Sequence, residues 1–235
     1  YGATPPLNEK ESLGKSLFFE TRLSNPDGQS CASCHAASAG FTDPFHVLPV
    51  SRGVLPLRFG SRSAPTAAYS KFSPPLFFDK VDGTYVGGLF WDGRADTLEE
   101  QAKQPLFNPV EMNNSSVPAL IAKVAKAAYA GEFRKEWGEK IFADPDAALD
   151  AVAASIAAFE RSSIFQPFTS KFDYVMRGQA QFTEQEQRGL SLFTIRQKGN
   201  CAQCHTVDTA SRDPKQSLFT DFSYRALGLP RSQRI

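Results

Sequence analysis

Cys31-Ala32-Ser33-Cys34-His35 and Cys201-Ala202-Gln203-Cys204-His205 both read C-x-x-C-H, and together they use all four cysteines of a 235-residue chain. Of the three histidines, only His46 stands outside them. C-x-x-C-H is the attachment pattern of c-type haem. Two thiols form thioethers with the haem vinyl groups, and the next residue sets an imidazole under the iron. His35 and His205 are then proximal ligands, with Cys31, Cys34, Cys201 and Cys204 as covalent anchors. Three other chemistries use paired cysteines. A redox dithiol normally occurs once, at a helix start in a βαβ context that this sequence lacks. A single four-thiolate zinc site usually has its pairs closer together in sequence. A disulfide within C-x-x-C closes a very small, strained ring. Two matches that consume every cysteine favour two covalently held haems.

The elements that must carry these motifs are themselves repeated. Asn8 with Glu11, and Thr183 with Glu186, form helix starts in which a capping side chain is followed by an acid three residues on. Aligning the two caps puts Gly14 over Gly189, Ser16 over Ser191, Leu17 over Leu192 and Phe18 over Phe193. A helix leading into a haem-binding turn opens a cytochrome c domain, so two such domains are implied. Between them, Thr97 with Glu100 predicts a third capping box and a helix through Gln101. Ser116-Val117-Pro118 opens a helix over Ala119–Ala130 that closes at Gly131. Asp144-Pro145 opens another over Asp146–Arg161, with Ala148, Val152, Ile156 and Phe159 on a core face. The stretch from Phe41 to Gly93 is rich in Gly, Pro, Ser and aromatics and reads as a long irregular segment, the kind that carries function. No strong strand alternation is present, so the fold class is mainly α.

Composition bounds the rest. With 41% hydrophobic and 22% charged residues the chain is an ordinary globular sequence, and a net charge of +1 without a basic stripe argues against nucleic-acid binding. No apolar run approaches the roughly 20 residues of a membrane span. The first residues show neither the charged nor the apolar region of a secretory leader.

Leu13-Gly-Lys-Ser-Leu-Phe-Phe19, Arg22-Leu-Ser24, Gly40-Phe-Thr-Asp43, Ser63-Ala-Pro-Thr66, Phe90-Trp-Asp-Gly-Arg-Ala95, Leu98-Glu-Glu-Gln101, Asn108-Pro-Val-Glu-Met112 and Phe219-Thr-Asp-Phe222 run in order around the two motifs. In this the chain resembles the bacterial dihaem cytochrome c peroxidases and their MauG-type relatives. The resemblance implies a peroxide-reacting N-terminal haem and a C-terminal haem through which electrons arrive. It places Glu111 on the distal acid, Gln101 on the distal amide and Trp91 on the residue lying between the haems. From the residues alone, Glu111 reads as a surface glutamate, Gln101 as helix polarity and Trp91 as a packing residue. Arg94 could fork onto a haem propionate or pair with Asp92 or Asp96. Some family members carry a second histidine that caps the first iron. His46, eleven residues after His35, is the candidate here, and its spacing is short for that role.

Two features depart from the family. The second haem's usual Met or Tyr ligand has no clear counterpart, since Met112 and Met176 precede Cys201 and Tyr224 is the sole tyrosine after His205. Ser63 stands where the family has an asparagine near its calcium, so calcium is a weaker expectation than haem. The expected organisation is an N-terminal domain over 1–165 and a C-terminal domain over 166–235. Only thirty residues follow His205, so the second domain is expected to be cut short in this chain. The expected function is reduction of hydrogen peroxide to water with electrons from a small cytochrome c or copper protein, in the periplasm, where c-type haem is attached. Two alternatives are MauG-type oxidation of a protein Trp or Tyr, and a dihaem electron carrier without catalysis. Many relatives are dimers, which makes a homodimer the expected assembly if one forms.

Overall fold

Capping side chains start most of the helices, as the sequence patterns require. The structure is a computed structural model describing residues 5–45, 47–226 and 228. His46 therefore lies outside the described residues. Helices α1 (Glu9–Phe18), α2 (Cys31–Cys34), α3 (Leu98–Phe107), α4 (Val117–Val124), α5 (Ala130–Trp137), α6 (Pro145–Arg161), α7 (Lys171–Met176) and α8 (Glu184–Thr194) follow in chain order. Both expected boxes at α1 and α8 close reciprocally, with Asn8 and Thr183 accepting from Glu11 and Glu186. At α3 the arrangement differs: Thr97 accepts from the Glu100 N–H, while Glu100 reaches past the cap to the Asp96 N–H at 2.9 Å. Among the described residues, no helix is long and apolar enough to cross a membrane.

The described chain divides into two compact units, one holding the residues before Phe77 with Gly88–Gln166, the other Phe77–Gly87 with those from Pro167 to Ala226. A segment from the middle of the sequence thus belongs with the second motif, where the sequence reading draws a single boundary at 165/166. In the first unit α6 is the axis. Its N-cap Asp144 accepts from the Asp146 and Ala147 N–H groups, Pro145 opens it, and Ala148, Val152, Ile156 and Phe159 are all buried. α1 crosses it so closely that a Cβ on Gly14 would stand 1.9 Å from the Ser155 carbonyl oxygen. Phe18, Phe159 and Phe165 meet edge to face at 5.1–5.5 Å, an arrangement worth about 0.5–1.5 kcal/mol per pair beyond area burial. Trp137 packs at the edge of this core and donates to Ser155 Oγ at 3.0 Å.

Two expectations fail here. The single helix over Ala119–Ala130 is two helices, α4 and α5, and Gly131 sits inside α5 instead of closing a helix. Helix-forming residues at 125–129 bend into turns, so that Leu120, Ile121 and Val124 on one side and Ala130 and Phe133 on the other all enter one core. Packing overrides propensity. The irregular stretch also contains a short antiparallel pair, β1 (Phe77–Asp79) with β2 (Thr84–Val86), in register Phe78 to Tyr85. Three residues per strand are too few for an alternation to register in sequence.

In the second unit α8 repeats α1 in sequence but buries none of its residues. The hairpin is tied to the end of the described chain. Tyr224 accepts at its backbone carbonyl from Thr84, and its phenol donates to the Gly87 carbonyl at 3.0 Å.

Candidate functional site

Each C-x-x-C-H motif forms a tight turn that presents its histidine in the same way. The His35 N–H donates to the Cys31 carbonyl at 2.9 Å, and the His205 N–H donates to the Cys201 carbonyl at 2.9 Å. The ring nitrogen Nδ1 of His35 lies 3.0 Å from the Phe41 carbonyl, and that of His205 lies 2.9 Å from the Phe219 carbonyl. A carbonyl only accepts, so Nδ1 carries the proton in both rings and Nε2 is left as the basic, metal-binding atom. A backbone acceptor of this kind fixes tautomer and ring orientation in metal-bound histidines.

The sequence reading missed what supplies that carbonyl. Phe41 and Phe219 each begin Phe-Thr-Asp, each sits at positive φ (60° and 57°), and each is closed back onto the residue after its histidine. Phe41 N–H donates to the Ala36 carbonyl at 2.8 Å, and Phe219 N–H to the Thr206 carbonyl at 3.0 Å. The aspartates then make the same turn, Asp43 accepting from Phe45 N–H and Asp221 from Ser223 N–H. Each phenylalanine is held by its own aromatic neighbours: Phe41 stacks on Phe165 at 4.1 Å, and Phe219 meets Phe172 and Phe193 edge to face. The signal was the tripeptide itself. It escapes a fixed-spacing search because it begins six residues after His35 but fourteen after His205.

In the first unit a cavity gathers Cys31, Cys34, His35, Trp91, Gln101 and Glu111. All the residues expected to act at the first haem, His46 aside, thus share one wall-to-wall space. Neither cysteine pair forms a disulfide. Burial pushes the Cys31 and Cys34 thiols up to about 12, so both are neutral. Burial lowers the His35 pKa against the opposing pull of the Phe41 and Pro65 carbonyls, which keeps its imidazole neutral and able to ligate. Among the described residues no group of three or more His, Cys, Asp or Glu side chains is placed to enclose a bare metal ion. Two neutral thiols and an oriented imidazole on one cavity fit a covalently attached haem.

Glu111 is delivered by a loop that is bonded at both ends. Its N–H donates to the Asn108 carbonyl at 3.0 Å and its carbonyl accepts from Val54 N–H at 2.9 Å, while Asn25 N–H holds the Met112 carbonyl at 2.8 Å. Burial raises the Glu111 pKa, opposed by the charge of Arg94 and a hydrogen bond from Asn108. Gly53 backs this loop: a Cβ there would lie 2.4 Å from the Val110 carbonyl oxygen. Gly53→Ala is expected to cost about 1–3 kcal/mol through overpacking, measured as a fall in urea midpoint with unchanged slope. Gln101 lines the cavity from α3, and Pro105, one turn on, has no N–H to give the Gln101 carbonyl.

Trp91 is 55% exposed, and its indole N–H is already committed to the Ser63 carbonyl at 2.8 Å. Arg94 pairs with Asp92 at 2.7 Å and lies over the Phe90 ring at 3.6 Å. Met112, one of the two methionines, is buried in the first cavity. A further acid, Glu160 of α6, lines the same space and was not anticipated from sequence.

A family model described as di-haem cytochrome c peroxidase matches residues 8–181. The chain is 39% identical over 232 residues to the methylamine utilization protein MauG of Paracoccus denitrificans, covering 97% of this chain and 59% of that protein. It is 34% identical over 204 residues to the cytochrome c551 peroxidase of Nitrosomonas europaea, covering 86% and 53%. Among solved structures, the diheme peroxidase BthA from Burkholderia thailandensis matches with a TM-score of 0.89 at 38% identity, over 97% of this chain and 56% of that one. The chain therefore spans a little over half the length of these relatives.

Proposed function

The chain belongs to the dihaem cytochrome c peroxidase family, and from that premise we propose that it holds two c-type haems and reduces hydrogen peroxide at the first. The observation that carries this is the convergence of Cys31, Cys34, His35, Gln101 and Glu111 on one cavity. When bound there, haem supplies an iron centre that can accept oxidising equivalents from peroxide. Cys31 and Cys34 anchor it and His35 Nε2 ligates it. Cys201, Cys204 and His205 do the same at the second site.

Glu111 is the general acid–base: its carboxylate takes the proton from one peroxide oxygen and returns it to the departing one. Its raised pKa suits the return step, because a carboxyl closer to neutrality holds a proton more readily. The Gln101 amide, both donor and acceptor, orients the peroxide. Trp91, its ring fixed through Ser63, serves as electron relay into the first site. Electrons come from a small periplasmic cytochrome c or copper protein.

A second reading is favoured by the 39% identity to MauG: the same oxidising equivalents are drawn from a protein Trp or Tyr. Steady-state oxidation of a reduced small cytochrome c by peroxide separates the two. Peroxidase activity requires two cytochromes oxidised per peroxide, catalytically in this chain. Peroxide reactivity without cytochrome turnover moves the assignment to the second reading, and no peroxide reactivity at all leaves an electron carrier.

A further inference from the structure

Glu160 lies near the C-terminal end of α6, two turns on from Val152 and one from Ile156, on the face that builds the core. It is only 6% exposed, lines the first cavity, and its Oε2 has no hydrogen-bond partner among the described residues. It stands on the Cys31 side of that cavity, close enough for its charge to disfavour ionisation of that thiol. The basic residues nearby are committed elsewhere. Arg161 forks onto Glu99 of α3 at 2.5 and 2.8 Å, and Lys71 donates to the Arg161 carbonyl at 3.2 Å. Lys10 of α1 acts on Glu99, α2 presents only Cys31, whose sulfur does not titrate once it is a haem thioether, and α1 turns Leu13, Gly14, Leu17 and Phe18 inward. The charge of Arg161 favours the carboxylate and that of Glu99 disfavours it, but burial is the largest effect and holds the carboxyl protonated near neutral pH.

We propose that Glu160 is a redox-linked proton site of the first haem cavity. The inference rests on the reading that this cavity holds a haem. In the range where Glu160 is ionised while the site is oxidised, the donor's electron brings one proton from solvent to the Glu160 carboxylate. The proton returns to solvent when the electron leaves. One positive charge thus accompanies one negative charge, and the buried space stays electrically unchanged. Glu111 is not involved, because it is carried by the 108–112 loop and has its own partners in Asn108 and Arg94.

The sign follows from charge. Burial raises the carboxyl from 4.5 to about 8. Below that value it is neutral and leaves the site's reduction potential unaffected. As pH rises through it, the carboxylate forms, favours the oxidised site and lowers the potential.

The test is a spectroelectrochemical titration of the haem-loaded protein at a series of pH values, wild type against Glu160→Gln, which keeps the shape of the neutral acid. The two potentials are expected to coincide at low pH and diverge above about 8, the wild type falling more steeply. Infrared spectra of the oxidised proteins supply the second readout: the C=O stretch of a protonated carboxylic acid, present at neutral pH and lost at alkaline pH in wild type, is expected to be absent from the variant. Parallel potential–pH curves, or an unchanged carboxylic band, overturn the assignment of Glu160 while haem absorption is intact. A chain without haem absorption overturns the reading beneath it, and the proposal with it.

Discussion

Glu111→Gln is expected to slow the peroxide-driven change in the haem spectrum by about a hundredfold or more, the scale of a lost general acid–base group. The substitution keeps the size of the side chain and its capacity to accept from Asn108, but it cannot take and return a proton. The loop should survive it, because its anchors are backbone bonds at Asn108, Val54 and Asn25. Haem content and thermal stability are therefore expected to match wild type, and the deficit to appear only after mixing with peroxide. Stopped-flow absorption of both proteins, loaded and oxidised, measures the ratio directly. An unchanged rate removes Glu111 from the chemistry and leaves it a half-buried carboxyl whose pKa is raised by burial alone.

Gly14→Ala and Gly189→Ala are expected to act in opposite directions although sequence alignment superposes the two residues. At Gly14 the added methyl meets the Ser155 carbonyl oxygen at 1.9 Å and the Phe159 Cβ at 2.9 Å. Neither is the far end of a flexible chain, so α1 and α6 must separate and the Phe18–Phe159–Phe165 cluster must open. A loss of about 3 kcal/mol follows from overpacking at a backbone contact, and a larger one if the cluster repacks poorly. At Gly189 an added Cβ meets nothing within 4 Å, and the residue lies inside α8. There alanine is expected to gain up to about 1 kcal/mol from helix propensity alone. Urea denaturation of the two variants, with wild type as reference, reads both values. Equal destabilisation would mean that α8 is packed as α1 is.

That contrast shows what sequence can and cannot carry. The caps at Asn8 and Thr183, the glycine and the aromatic in each helix, and the two C-x-x-C-H motifs were legible because they are local: each is a short pattern whose meaning depends on neighbours in the chain. Which copy of the helix is covered is not local. It depends on α6, whose approach to Gly14 has no sequence mark at Gly189. The Phe-Thr-Asp turns were legible as tripeptides but not as partners of the histidines, because loops of unequal length separate them from the motifs. Glu160 was legible in principle, since it continues the four-residue spacing of Val152 and Ile156 onto the core face. Glutamate is so seldom buried that the position reads as solvent-exposed until the structure closes over it. The break between α4 and α5 had no signal at all, because helix-forming residues occupy the turn.

On the proposed function, peroxide reacts in the cavity beside His35. Rapid mixing of the haem-loaded protein with hydrogen peroxide, once fully oxidised and once half-reduced, tests it most directly. A fast change in the haem absorption bands in at least one of these states, slowed by Glu111→Gln, is the expected result. No spectral change in either state contradicts both enzymatic readings and leaves the two motifs as electron-carrying sites only.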